Sequence, residues 1–265
     1  MEIGLIGAGA IGSVLGKAID QMEDVERLYI MDKSRERART LTESITKGVE
    51  IDDLEDLLAK ADLVIEAASQ EAAKEMAPRV LDRGKDLMLM SVGALRDEAL
   101  RKRIEALAKK NRCKVYIPSG AIAGIDGIKS SSEDAIEEVK LITTKPPTAL
   151  GGIDLEGIDL KSLKAPITIF EGCARDAVRL FPQNINVAAT LSLSGIGFDQ
   201  TLVKIIVDPN ATKNTHKLIA RGKFGELTCE VANVPSPTNP KTSYLAALSA
   251  IATLRNALSP IQIGT

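Results

Sequence analysis

The first twenty-two residues constrain the fold more than any other part of the chain. An apolar run over residues 2–6 is followed by glycines 7, 9 and 12 in the segment GLIGAGAIG. Apolar residues then recur at helical spacing as far as Met22. A buried strand, a tight glycine turn and a helix in this order predict a site for the pyrophosphate of a dinucleotide.

Each position of this G-x-G-x-x-G motif has a physical role. Gly7 permits the turn, Gly9 lets the backbone approach the pyrophosphate, and Gly12 lets the helix pack closely on the strand. The predicted helix begins at Ala10 and Ile11, where unpaired N–H groups and the helix dipole attract phosphate. We expect these five residues to bind the cofactor. A glycine-rich structural turn is the alternative, and the flanking strand, helix and acid favour nucleotide binding.

The acid is Asp32, which ends the predicted second strand, RLYIMD, 20 residues after the last motif glycine. A carboxylate at this place accepts hydrogen bonds from the adenosine ribose and favours NAD. Lys33, Arg35 and Arg37 follow it. They either form a solvated helix face or pair with the 2′-phosphate of NADP. The predicted cofactor is therefore NAD or NADP.

The pattern of apolar residues along the chain divides it into three parts. Residues 1–118 alternate short apolar runs with helical patterns, which predicts a Rossmann dinucleotide-binding domain with a parallel sheet. Residues 119–240 predict an α+β domain built on a mixed sheet. Its expected elements are strands in EEVKLITTKPP, LKAPITIFEG and QTLVKIIVDP, a helix after FPQNIN, a hairpin in HKLIARGKFGELTCEV and a proline-rich loop in NVPSPTNPKTS.

Residues 241–265 predict a final amphipathic helix that packs back on the first domain. Its expected apolar face consists of Tyr244, Leu248, Ile251, Leu254 and Leu258.

Composition excludes several classes of protein. A net charge of −2 makes nucleic acid and anionic membranes poor partners, and no apolar run is long enough to predict a membrane span. Cys113, Cys173 and Cys229 lie far apart without a CxxC pair. This argues against a disulfide framework or a thiolate metal site and fits a reducing cytoplasm. No metal site is predicted, and the start of the chain has no basic leader typical of a secretory signal.

The chain contains a single histidine, His216, at the start of a predicted strand where it shares a face with Leu218 and Ala220. A histidine in a strand is more often structural than catalytic. Polar segments elsewhere in the second half favour a catalytic role. FPQNIN supplies Gln183, Asn184 and Asn186, and NPKTS supplies Lys241, Thr242 and Ser243.

These amides, hydroxyls and the ammonium suit a small polar anion. Asn186 is equally well explained as a helix cap and Lys241 as a solvated charge. On physical grounds we assign Lys241, Thr242 and Ser243 to the carboxylates of a substrate.

Five segments of the chain, taken together, resemble the L-aspartate dehydrogenases that feed quinolinate synthesis. They are GLIGAGAIG, PSGAIAGIDG, FPQNINVAATL, NTHKLIARGKFGE and NPKTSYLAALSAIATLR. The resemblance implies a Rossmann domain joined to an α+β catalytic and dimerisation domain, residues 119–240, in a homodimer. It also implies His216 as the catalytic residue and Ala121 and Asn186 as further cofactor contacts.

The implied reaction is oxidation of L-aspartate to iminosuccinate with NAD or NADP. Iminosuccinate either feeds quinolinate synthase or hydrolyses to oxaloacetate and ammonia, which are the substrates of the reverse reaction. The amine must be neutral before hydride leaves Cα, so we expect His216 to act as a base of near-neutral pKa.

Other functions have less support in the sequence. A dihydrodipicolinate reductase uses paired histidines, and a semialdehyde dehydrogenase needs an activated cysteine for which the sequence shows no partner. A homoserine-dehydrogenase-like oxidoreductase is the best alternative enzyme. A non-catalytic NAD-sensing protein is the alternative from another class.

Overall fold

A computed structural model describes residues 1–150, 160, 162–181, 186–236 and 239–264. The chain forms two compact units. The first contains Met1–Pro118 and Ala247–Gln262, and the second contains Ser119–Ala246 and the residues from Ile263.

The first unit is built on a six-stranded parallel sheet in the order β3-β2-β1-β4-β5-β6. This order is that of the Rossmann fold, in which connections reverse direction beside β1 and leave a crevice at the carboxyl ends of the strands. The predicted fold of this part is confirmed. The strands are β1 (Glu2–Ile6), β2 (Arg27–Met31), β3 (Gly48–Glu50), β4 (Leu63–Glu66), β5 (Asp86–Leu89) and β6 (Val115–Tyr116).

Five helices connect these strands, with a 3₁₀ helix at Val92–Arg96. Asp53, Ser69 and Asp97 cap the third, fourth and fifth by accepting backbone N–H groups of the first turn. The elements β3 and α3 were not predicted because runs of three and seven residues are too short to show a period. The helices are α1 (Ala10–Asp20), α2 (Arg35–Glu43), α3 (Leu54–Lys60), α4 (Gln70–Asp82) and α5 (Glu98–Asn111).

In the second unit, five strands of the described residues form a mixed sheet in the order β11-β10-β7-β9-β8. The β7–β9 pair is parallel and the other pairs are antiparallel. The predicted mixed sheet and the β10–β11 hairpin are therefore present. The strands are β7 (Ile136–Lys145), β8 (Ile167–Cys173), β9 (Leu202–Val207), β10 (Asn214–Gly222) and β11 (Gly225–Asn233).

The described residues of this unit also form three helices and a 3₁₀ helix before Pro235. They are α6 (Ile125–Ser131), the 3₁₀ helix Pro147–Leu150, α7 (Ala174–Leu180) and α8 (Asn186–Ser194).

The proline-rich segment that was predicted to be a loop instead forms two short strands. β12 (Pro235–Ser236) pairs with β13 (Asn239–Ser243) in an antiparallel ribbon. Both strands of such a ribbon are edges, so the missing proline N–H groups do not interrupt a continuous ladder.

The last helix, α9 (Tyr244–Leu258), contributes to the core of the first unit. Ala250 and Leu254 are fully buried there, and Ile251 and Leu258 pack against the same core. The predicted apolar face was wrong at Leu248, which is 40% exposed. Two small residues, Ala247 and Ala250, are buried on the contact face instead, so the helix turns its alanines inward. No helix among the described residues has the length and hydropathy needed to cross a bilayer.

Candidate functional site

The glycine turn of the first unit has the geometry that its motif predicts. Gly7 has a φ of +103°, and a Cβ there would lie 2.6 Å from the carbonyl oxygen of Ala67. A Cβ at Gly12 would lie 1.9 Å from the carbonyl oxygen of Gly7. Both positions therefore exclude any side chain, and both leave the carboxyl end of β1 close to the start of α1.

Gly9 differs from its two neighbours in the motif. It caps α1, with Ala10 and Ile11 in the first helical turn, and no described atom lies within 4 Å of the place that a Cβ would take. The space beside Gly9 is thus open to a ligand. The N–H groups of the first turn of a helix lack intrahelical acceptors and suit a phosphate there.

A cavity of about 240 Å³ opens at this turn. Its walls are the glycine turn, the end of β2 with Asp32 and Lys33, Arg37 of α2, and the loop Ala67–Ser69 after β4. The position of the cavity and the open surface at Gly9 fit the pyrophosphate and adenosine ribose of a dinucleotide bound at the crevice of the sheet.

Asp32 is held rigidly in this wall. One carboxylate oxygen accepts the N–H of Ala8 at 2.7 Å, and the other accepts the N–H of Ser34 at 2.8 Å. Each oxygen keeps a further lone pair for a ribose hydroxyl. Of the three basic residues after Asp32, Lys33 and Arg37 line the cavity, whereas Arg35 pairs with Asp52 at 3.0 Å.

Glu66, at the end of β4, was missed by sequence reasoning. Its buried carboxylate accepts the N–H groups of Ala68 and Ser69 and both the N–H and the hydroxyl of Ser91, at 2.9–3.0 Å. Burial raises the pKa of this carboxyl, and these hydrogen bonds oppose the rise. Glu66 therefore fixes the loop that forms one wall of the cavity. An acid ending the apolar run LVIE was the available signal.

In the second unit, polar side chains gather on one face of the sheet. Along β10, Asn214, His216, Leu218 and Ala220 are buried and alternate with half-buried residues, which confirms the predicted face of His216. Along β7 the buried positions are Val139, Leu141, Thr143 and Lys145. Apolar residues thus occupy one part of this face and polar residues the other.

The strand register arranges the polar residues in two rows. His216 lies opposite Thr143, and we name these two residues the imidazole row. Asn214 lies opposite Asn233 of β11, and the β10–β7 register continues to Lys145 on its other side. We name Asn233, Asn214 and Lys145 the amide row.

His216 is 4% exposed, and its Nδ1 atom lies 2.9 Å from the Thr143 hydroxyl oxygen. Burial, and secondarily the charge of Lys145, lower the pKa of His216 to about 3. The imidazole is therefore neutral at pH 7. A near-neutral pKa was expected, and the lowered pKa departs from that expectation, because the sequence shows neither the burial nor the neighbouring ammonium.

Lys145 is a second residue that sequence reasoning missed. It is 4% exposed, and burial lowers its pKa to about 8. Lys145 continues the every-second-residue pattern of Val139, Leu141 and Thr143, and this pattern was the signal available in the sequence. Lysines are rarely buried this completely outside functional sites.

The other predicted site residues are distributed over the second unit. Ala121 is buried, and its carbonyl oxygen accepts a hydrogen bond from the Asn233 side chain at 3.0 Å. Asn186 is the first residue of α8 and is half-buried. Gln183 and Asn184 lie outside the described residues.

The predicted substrate residues lie in β13. Thr242 is half-buried and Ser243 buried, while the side chain of Lys241 is outside the described part of the chain. Where the structure describes them, no hydrogen bond joins Thr242 or Ser243 to His216. In the same described ranges, no group of three or more potential metal-ligating side chains is found.

The parallel sheet, its glycine turn and the acid after β2 define a dehydrogenase that uses a nicotinamide dinucleotide. Family models match both parts of the chain. The model described as homoserine dehydrogenase, NAD binding domain, matches residues 7–118, and the one described as aspartate dehydrogenase, C-terminal, matches residues 126–257.

Full-length relatives agree with the second of these. The L-aspartate dehydrogenase of Methanosarcina barkeri is 49% identical over the whole of both chains. That of Methanothermobacter thermautotrophicus is 43% identical over all of this chain and 99% of its own. The crystal structure of aspartate dehydrogenase from Thermotoga maritima superposes with a TM-score of 0.80 at 31% identity, covering 100% of this chain and 99% of that one. The chain belongs to the aspartate dehydrogenase family.

Proposed function

We propose that this chain oxidises L-aspartate at Cα to iminosuccinate, with NAD or NADP as the oxidant. The observation that carries the proposal is the buried, neutral His216 beside Thr143, on the sheet face that also holds Lys145. The full-length similarity to L-aspartate dehydrogenases supports the choice of substrate.

The first unit binds the cofactor. Gly7, Gly9 and Gly12, with the N–H groups at Ala10 and Ile11, form the pyrophosphate site. Asp32 accepts hydrogen bonds from the ribose. The family resemblance adds Ala121 and Asn186 as further contacts. When bound, the nicotinamide accepts the hydride that leaves Cα of the substrate.

His216 takes one proton from the substrate ammonium, directly or through one water. The neutral amine then uses its lone pair to form the C=N bond as hydride leaves, which gives a protonated imine. The Thr143 hydroxyl holds the imidazole by its Nδ1 atom. A pKa of about 3 makes His216 a weak base in the free enzyme. A bound dicarboxylate offsets the ammonium of Lys145 and so raises the basicity of the imidazole.

Cations and hydroxyls must hold the two carboxylates. Lys241, Thr242 and Ser243 are our assignment from sequence, and Lys145 adds an ammonium on the same sheet face as His216. Charge-assisted hydrogen bonds to a carboxylate are about twice as strong as neutral ones.

The product sets the cellular role. Iminosuccinate either passes to quinolinate synthase for NAD biosynthesis or hydrolyses to oxaloacetate and ammonia. We place the enzyme in the cytoplasm, because its cysteines are free thiols. The family resemblance supports a homodimer.

The decisive experiment follows absorbance of the reduced nicotinamide with NAD or NADP and, in turn, L-aspartate, D-aspartate, L-glutamate and L-homoserine. We expect reduction with L-aspartate alone. His216→Ala should lower kcat by about 10³-fold, because a positioned base contributes factors of this order, while NAD binding persists.

Two results would contradict the proposal. Activity with L-homoserine would assign the protein to the activity named in the family model of residues 7–118. A folded, NAD-binding sample that reduces no cofactor with any of the four substrates would support a non-catalytic NAD sensor.

A further inference from the structure

Two buried amide oxygens in the amide row have no use in the chemistry described above. Asn214 and Asn233 are each 3% exposed and lie opposite each other on β10 and β11. Among the described residues, neither Oδ1 atom has a hydrogen-bond partner. Buried acceptors are almost always paired, because an unpaired one costs free energy when water is removed from it. This pair of oxygens therefore points to a ligand that donates hydrogen bonds.

The orientation of one amide is fixed by its neighbour. The Asn233 NH₂ group donates to the carbonyl oxygen of Ala121 at 3.0 Å. If this amide were rotated by half a turn, its Oδ1 atom would face the carbonyl oxygen of Ala121. The Oδ1 atom of Asn233 therefore points away from Ala121 and is the atom available to a ligand.

The amide row also lies beside the proposed base. Asn214 precedes His216 by two residues on the same face of β10, which separates their Cα atoms by about 6.6 Å. A substrate amine that gives its proton to His216, directly or through a water, is therefore within reach of the Asn214 oxygen.

We propose that the amide oxygens of Asn214 and Asn233 bind the amino group of the substrate and select an amine over a hydroxyl at Cα. The inference rests on the proposed function. A neutral amine offers two N–H donors to two acceptors and keeps its lone pair for the C=N bond. A hydroxyl offers one donor and leaves one buried oxygen unpaired.

The test compares two ligands that differ by the amine. L-Aspartate is measured as the substrate and succinate, which has both carboxylates without the amine, as its competitive inhibitor. Asn214→Leu should raise the KM of L-aspartate by about 10-fold, since it removes a buried hydrogen bond to the ligand. The Ki of succinate should not change. Asn214→Asp keeps an acceptor and should not raise the KM of L-aspartate relative to the Ki of succinate, because its charge repels the carboxylates of both ligands and attracts only the amino group of L-aspartate.

The controls separate this effect from general damage. Asn210→Leu, at an exposed position in the turn before β10, should change neither constant. If Asn214→Leu does not fold, Asn214→Ala removes the same oxygen with a smaller side chain. Thermal unfolding and NAD binding of each variant report whether the fold is intact.

The outcomes are distinct. A parallel rise of KM and Ki, an unchanged KM, or weakened NAD binding alone would each overturn the inference. A wild-type enzyme without L-aspartate activity would remove the proposed function and the inference together. Wild-type activity with an unchanged ratio in Asn214→Leu would remove only the inference.

Discussion

The candidate sites of the two units are formed by different kinds of group, backbone atoms in the first and side chains in the second. In the first, the surface at the glycine turn is made by backbone atoms and by the space that glycines leave, with Asp32, Lys33 and Arg37 as charged groups in the cavity wall. In the second, buried side chains make the surface, and two of them, His216 and Lys145, have strongly lowered pKa values. The first site depends on shape and the second on charges held away from water.

This difference predicts different weaknesses. A backbone surface fails when atoms are added to it, whereas removal of nearby side chains does little. A buried polar surface lowers the free energy of unfolding, because its charged and polar groups lose hydration when the chain folds. Functional sites commonly carry such costs, which the rest of the fold offsets.

The largest expected effect comes from adding one carbon to the glycine turn. Gly12→Ala places a Cβ 1.9 Å from the Gly7 carbonyl oxygen, and backbone on both sides prevents relief. We expect a loss of at least about 3 kcal/mol in the free energy of unfolding, measured by urea denaturation, together with loss of NAD binding.

Gly9→Ala is the matched comparison, because no described atom lies near its Cβ and its φ of −76° suits alanine. It should keep wild-type stability and lose about 10-fold in NAD affinity through contact with the pyrophosphate. Equal destabilisation by both substitutions would contradict the separate roles given to the two glycines.

The second effect is a gain in stability from the other unit. Burial lowers the pKa of Lys145 from its ordinary value of 10.5 to about 8. Since one pKa unit corresponds to about 1.4 kcal/mol, the buried ammonium costs roughly 3 kcal/mol at pH 7. Lys145→Met should therefore raise the free energy of unfolding by about 2–3 kcal/mol while weakening L-aspartate binding.

The pH dependence of stability tests whether the Lys145 ammonium raises or lowers the free energy of unfolding. Between pH 8 and 10.5 the unfolded chain binds more protons at Lys145 than the folded one, so wild-type stability rises with pH in this window. The advantage of Lys145→Met should shrink over the same window, as followed by denaturation at several pH values. A variant less stable than wild type at pH 7 would show that the ammonium stabilises the fold.

The same contrast explains what the sequence could predict. The positions of Gly7 and Gly12 at the turn and of Asp32 after β2 follow from local spacing, so this part of the first site could be predicted from the sequence. The face of His216 followed from simple alternation along one strand. Asn214 and Asn233 pair across the β10–β11 hairpin, but Lys145 joins them only through the register between β10 and β7, two strands that are far apart in the chain. No local pattern specifies that register, and the lowered pKa of His216 depends on it. Leu248 was misassigned because alanines lie on the contact face of α9, and a pattern based on large apolar residues does not show them.

The smallest expected effect concerns Asp32, whose carboxylate favours NAD over NADP in the proposed cofactor site. Asp32 holds the end of β2 through Ala8 and Ser34, and Lys33 and Arg37 stand in the same cavity wall. Asp32→Ala removes both a ribose acceptor and the charge that repels a 2′-phosphate. It should lower the kcat/KM ratio of NAD to NADP by about 10-fold, the worth of about one charge-assisted hydrogen bond.

Two arginines sharpen this measurement. Arg37→Ala in the Asp32→Ala background should restore part of the preference for NAD, because Arg37 lines the cavity. Arg35→Ala is the matched control, since that guanidinium pairs with Asp52 and is not part of the cavity wall described above. If both arginine variants change the ratio equally, the effect is one of general charge. In that case the net charge of α2 would set the preference for NAD or NADP, and the position of Arg37 within the cavity would play no part.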